Sequence, residues 1–87
     1  MLMSLHKSDN TYFFPGREDG LEDYSGSGAG EGYNINVPWH TPQYDDEMRL
    51  GANEYKYACE EVLIPIAKGF EPDIILISCG FDSAIHD

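Results

Sequence analysis

Asp82 is the side chain in this sequence best placed to do chemistry. It follows Gly80-Phe81, just past the apolar run Ile74-Ile75-Leu76-Ile77. A carboxylate there can accept a backbone N–H as the N-cap of a helix starting near Ser83-Ala84. Capping is the ordinary reading; the carboxylate can also ligate a metal ion, and a lone carboxylate does not decide between the two. The histidines His6, His40 and His86 are scattered and form no pair at metal-binding spacing. Each is expected to be a structural or surface residue. Gly26, Gly28, Gly30 and Gly32 alternate, but Glu31 or Tyr33 stands where a GxGxxG fingerprint needs its third glycine, and no Walker-type lysine follows. A flexible or tightly folded loop is expected there rather than a phosphate cradle. Phe13-Phe14-Pro15-Gly16 reads as core plus turn, or as an aromatic wall beside a ligand channel.

The elements that must position these residues are few. Ile74 to Ile77 shows no alternation, which predicts a strand buried on both faces of a parallel sheet. In open α/β sheets ligands gather at the carboxyl ends of such strands, where Asp82 falls. Tyr55, Ala58, Cys59, Val62, Leu63 and Ile66 form one apolar stripe at helical spacing. Its helix should start near Ala52 or Asn53 and stop at Gly69, with a kink or early end at Pro65. Helix, turn and strand make half of a βαβ unit. Tyr33 to Val37 alternates with period two and predicts a half-buried strand stopped by Pro38. Met1 to His6 predicts a further short strand, and residues 17–32 and 41–51 read as loops.

The 87 residues carry a net charge of −11. There is no basic patch for nucleic acid, nor for an anionic membrane surface. The acids are dispersed rather than gathered into a tail, and no window approaches a membrane span. Cys59 and Cys79 form no CxxC pair and read as buried free thiols, so an intracellular protein is expected. One small domain is the most this length allows, and a doubly covered parallel strand needs more neighbours than the visible elements supply. The chain is therefore expected to be an incomplete α/β domain.

Several separated motifs occur together in the order of one family. Ser4-Leu5-His6-Lys7, Phe13-Phe14-Pro15-Gly16, the glycine-rich loop, Tyr33-Asn34-Ile35-Asn36-Val37, Ile64-Pro65-Ile66-Ala67 and Gly80-Phe81-Asp82-Ser83-Ala84 resemble the zinc-dependent histone deacetylases, most of all the class II branch. The resemblance spans nearly the whole chain. It implies a three-layer α/β/α domain with a central parallel sheet, of the arginase/deacetylase type. Residues 1–51 would supply a short strand, the aromatic turn and the glycine-rich loop, and residues 52–87 a helix, a strand and a metal loop. By the same resemblance, Asp82 matches a ligand of the catalytic zinc and Phe14 an aromatic lining the acetyl-lysine channel. The Ser4 hydroxyl and Leu5 carbonyl match ligands of a structural potassium ion, and the Tyr33 carbonyl one at a second such site.

The family's other two zinc ligands and its paired catalytic histidines precede the strand that holds Ser4. Its oxyanion-steadying tyrosine or histidine follows Asp82. None of these is in this chain, and Ser83 stands where alanine is common. A fragment of a lysine deacetylase is therefore expected, inactive in isolation. The intact protein would act on acetylated histones or other acetyl-lysine proteins in the nucleus or cytoplasm. A non-catalytic acidic interaction or dimerisation module, and a deacetylase of polyamines or small amides, are the alternatives.

Overall fold

Two parallel strands organise the molecule, β1 (Leu2–Lys7) and β2 (Asn34–Trp39). The structure is a computed structural model that describes residues 1–40 and 50–80. The strands pair in register from Leu2 opposite Asn34 to Lys7 opposite Trp39. Parallel neighbours need a long crossover, because the chain must return to the starting end before pairing again. Residues 8–33 make that return with two short 3₁₀ turns, Glu18–Gly20 and Gly28–Gly30.

Pro38 lies inside β2 instead of ending it. The Leu2 amide donates to the Tyr33 carbonyl and the Ser8 amide to the Trp39 carbonyl, each at 2.9 Å. By the pleat, the odd-numbered residues of β2 turn their backbone groups toward β1. The Pro38 nitrogen thus faces the outer edge, where no ladder bond is lost.

The pair has two unlike faces. Ser4 and His6 share one with Asn36 and Pro38; Met3, Leu5 and Lys7 share the other with Ile35, Val37 and Trp39. The apolar face meets a helical segment running from Ala52 to Phe70. There Trp39 meets Tyr55 edge-on, with ring centres 5.5 Å apart, and Tyr33 meets Phe70 at 6.2 Å.

That segment is α1 (Ala52–Ala58), a π-helical turn (Cys59–Leu63) and α2 (Ile64–Phe70). Glu54 reaches back to accept the Gly51 amide at 2.8 Å, satisfying a donor the helix start leaves over. Most of the apolar stripe is where the spacing predicts it: Ala58 is buried, and Cys59, Val62, Leu63 and Ile66 are half-buried, while Tyr55 at its start stays exposed. Gly69 does not stop the helix. It continues to Phe70, and Glu71 in the left-handed region closes it, its amide donating to the Ala67 carbonyl at 3.1 Å. At Pro65 the chain neither ends nor breaks; the π turn just before it, in which the Ile64 amide donates to the Cys59 carbonyl, carries the helix past the proline.

The segment after the helix differs from expectation. Ile74, Ile75, Leu76 and Ile77 form no strand pairing and are 68–90% exposed. A buried parallel strand needs hydrogen-bonding neighbours and a cover on each face. Among the described residues, the only sheet is the β1–β2 pair. Cys79 is likewise exposed and Cys59 only half-buried, so the two free thiols are not the buried pair expected. Among the described residues, no helix is long and apolar enough to cross a membrane.

Candidate functional site

The polar face of the sheet carries the most ordered side-chain chemistry. His6 donates from Nε2 to the Gly20 carbonyl at 2.7 Å, since a carbonyl can only accept. In the neutral ring that leaves Nδ1 as an acceptor, and the Ser4 hydroxyl donates to it at 2.7 Å. On the neighbouring strand, the Asn36 side-chain amide donates to the carbonyls of Asp19 and Leu21 at 2.9 and 3.0 Å. Two side chains thus hold three successive loop carbonyls, those of Asp19, Gly20 and Leu21.

This grip sits at one end of the loop that carries the aromatic turn. At its other end the amides of Ser8 and Asp9 both donate to the Trp39 carbonyl, at 2.9 and 3.2 Å. Ser8 is buried, and its carbonyl accepts the Phe13 amide at 3.1 Å. Asp9, Asn10 and Thr11 follow with φ of 49°, 53° and 74°. Between the two anchored ends the chain passes Phe13 and Phe14, with a cis bond from Phe14 to Pro15. The Lys7 ammonium lies 4.8 Å over the Phe13 ring. Phe14 is 86% exposed. An open cleft of about 220 Å³ runs beneath the turn, lined by His6, Lys7, Phe13, Phe14, Arg17 and Asp19 among others.

The glycine-rich loop is tightly folded, one of the two forms expected. The Ser25 carbonyl accepts the amides of Gly32 and Asn34, and the Gly30 carbonyl accepts that of Tyr33. The amides of Gly30, Glu31, Gly32 and Tyr33 are all spent on carbonyls within the loop. Outside it, Glu22 meets His40 at 3.4 Å. A backbone hydrogen bond, followed by the one from His40, holds the Glu22 carboxyl below the usual glutamate range.

The residues singled out from sequence are separated along the fold. Ser4 and Leu5 adjoin in β1. With the His6 ring neutral, Ser4 spends its proton on Nδ1 and its oxygen presents lone pairs, as a cation ligand must. The ladder turns the Leu5 carbonyl away from β2. The Tyr33 carbonyl, at the start of β2, already accepts the Leu2 amide and has one lone pair left. Phe14 stands on the aromatic turn. Asp82, together with His86, lies outside the described residues. Among the described residues, no three His, Cys, Asp or Glu side chains gather as a metal centre.

The grip formed by His6 and Asn36 is absent from the candidates drawn from sequence. Its signal was available: Ser4, His6, Asn34 and Asn36 recur with period two on strands whose alternate residues are apolar. A polar face on a covered strand implies fixed polar partners.

The histone deacetylase domain family matches residues 1–87. "Histone deacetylase 5" of Arabidopsis thaliana is 42% identical over 87 residues, all of this chain and 12% of that protein. Among solved structures, the HDA15 HD domain is 41% identical with a TM-score of 0.84, over 98% of this chain and 22% of its own. The histone deacetylase Clr3 is 38% identical with a TM-score of 0.86, over 98% of this chain and 13% of its own. The chain thus spans about an eighth of the length of the Arabidopsis relative.

Proposed function

The chain belongs to the histone deacetylase domain family, class II type, and on that premise we propose that it is part of a catalytic domain hydrolysing the acetyl amide of N-acetyl-lysine in histones or other proteins. The observation that carries this is the whole-length likeness to deacetylase domains at about 40% identity and a TM-score above 0.8. The parallel β1–β2 pair with a helical segment on its apolar face supports the same fold, an incomplete α/β unit. The deacetylase would act inside the cell, in the nucleus or cytoplasm.

Within that reading each site residue has a role set by its own chemistry. Phe14, held out on its turn, walls the channel for the aliphatic stem of acetyl-lysine, where a rigid ring excludes water from an apolar chain. Ser4 and Leu5 offer a hydroxyl lone pair and a backbone carbonyl, the hard oxygen donors that a potassium ion takes. Tyr33 offers a second carbonyl for another such ion. Asp82 would contribute one carboxylate to a catalytic zinc, which when bound supplies Lewis acidity toward the acetyl carbonyl. A catalytic zinc takes three ligands from the protein, and the family motifs that would supply the other two and the histidine pair for proton transfer are not among these 87 residues. On this reading the 87-residue chain alone would be inactive.

Grafting the chain in place of the matching segment of the HDA15 HD domain tests the proposal. The grafted domain should deacetylate an acetyl-lysine peptide, and Asp82→Asn should lower kcat by at least about a hundredfold, as removal of a metal ligand does. An inactive but folded graft, or an Asp82→Asn graft of full activity, would sink it.

A further inference from the structure

We infer that His6 and Asn36 are positioning residues for Phe14, fixing the aromatic turn through the loop carbonyls of residues 19–21. The inference rests on the proposed place of Phe14 in the channel wall, and it adds residues that would set that wall's geometry.

Phe14 is 86% exposed, so side-chain packing does little to place it. Its position comes from the backbone on either side. On the N-terminal side, Ser8 and Asp9 are tied to the Trp39 carbonyl, and Phe13 to the Ser8 carbonyl. On the C-terminal side only residues 15–18 separate Phe14 from Asp19, the first carbonyl that Asn36 takes. The short link is itself stiffened. The Arg17 guanidinium grips the Asp19 carboxylate through two bonds of 3.1 and 2.7 Å. The Gly20 amide returns to the Arg17 carbonyl at 3.3 Å and the Leu21 amide to that of Glu18 at 3.1 Å. Motion at residues 19–21 would therefore pass to the aromatic turn within a few bonds.

The two side chains are complementary in what they supply. Asn36 is a double donor to the outer carbonyls of the triplet, and His6 a single donor to the middle one. Both come from strands locked in register, with Ser4 opposite Asn36 and His6 opposite Pro38. Such a support on regular elements is more rigid than one loop can give another.

Amide hydrogen exchange of the grafted domain, free of metal and substrate, tests this. Asn36→Asp, which turns a donor into a carboxylate facing two carbonyls, should speed exchange about tenfold at Gly20 and Leu21. It should also speed exchange at Tyr12 and Phe13, on the far side of Phe14, while the amides of Tyr55 and Glu71 in the helical segment stay unchanged. His6→Ala should act in the same direction. His6→Gln should restore protection, because its side-chain amide can still donate to the Gly20 carbonyl. Acceleration confined to Gly20 and Leu21 would reduce the grip to a local tie and overturn the inference. So would uniform acceleration throughout the chain, failure of His6→Gln to rescue, or no protection of these amides in the unsubstituted graft. An inactive graft would leave this result standing, and a negative exchange result would leave the deacetylase proposal standing.

Discussion

The amide of Ile64 donates to the carbonyl of Cys59, five residues back, immediately before Pro65. An α-helix would carry that bond from i to i−4, and Pro65 would then have no proton for the Glu61 carbonyl and would press its ring against it. Widening the turn to i−5 moves the ring clear and lets the helix go on to Phe70. Pro65→Ala restores the donor and removes the reason for the wide turn. It should stabilise the grafted domain by about 1 kcal/mol, part of the interior proline penalty being already relieved. Denaturant unfolding and exchange at residue 65 check this. An unprotected amide at position 65 of the Pro65→Ala variant would mean that the wide turn has another cause.

Gly26 and Gly30 should respond oppositely to a methyl group. Gly26 has φ +110°, and a Cβ there would collide with the Gly30 carbonyl. Gly30 has an ordinary φ and open space where its Cβ would lie. Gly26→Ala should cost the grafted domain about 2 kcal/mol or more, and Gly30→Ala should be within about 0.5 kcal/mol of neutral. Equal effects from the two would show that the loop is not folded tightly around Gly26.

Thr11 should tolerate the reverse exchange. A β-branched residue at φ +74°, third in a left-handed run, carries a steric cost that glycine does not. Thr11→Gly should stabilise by up to about 1 kcal/mol, the relieved strain exceeding the added unfolded-state entropy. A loss of thermal stability in this variant would contradict the strain.

What the sequence made legible was what depends on local pattern. The stripe from Tyr55 to Ile66, the alternation through Asn34 and Asn36, and the disturbance at Pro65 are period and ring chemistry, readable without a partner. Pro38 misled because whether a proline ends a strand depends on which edge its nitrogen faces, and only the pairing with β1 fixes that. Gly69 misled because Glu71 took the left-handed position that glycine usually holds. Ile74 to Ile77 read as buried because their composition suits a central strand, but burial requires neighbours that the β1–β2 pair does not provide. The grip on residues 19–21 joins side chains to carbonyls 14–17 positions away, a distance no periodicity reports.

Glu22 should titrate below the ordinary glutamate range, because its own backbone hydrogen bond and then His40 favour the carboxylate. A carboxyl whose folded pKa is depressed adds stability above its unfolded pKa, and that contribution disappears as pH falls through the lower folded value. The carboxyl is fully exposed, so the effect on stability is small and the titration is the measurement of choice. Carbon-detected NMR should show a depressed midpoint, moved part of the way back by His40→Ala. A complete return to the ordinary value would assign the whole effect to His40 and contradict the primacy of the backbone bond.

Leu76 offers the clearest handle on the unpaired segment. With Ile74, Ile75 and Ile77 it exposes an apolar run whose backbone makes no ladder. Such a run is a template for strand addition between molecules, because pairing satisfies the backbone and buries the side chains in one step. The charge of −11 opposes close approach, so self-association should strengthen as salt screens it. Leu76→Asp places a charge in the middle of the run and should suppress salt-induced association in light scattering. Helical circular dichroism should stay constant, since Leu76 lies beyond Phe70 and outside the helical segment. Association that is unaffected by Leu76→Asp would place the sticky surface elsewhere, and the exposed aromatic turn at Phe14 would be the next place to substitute.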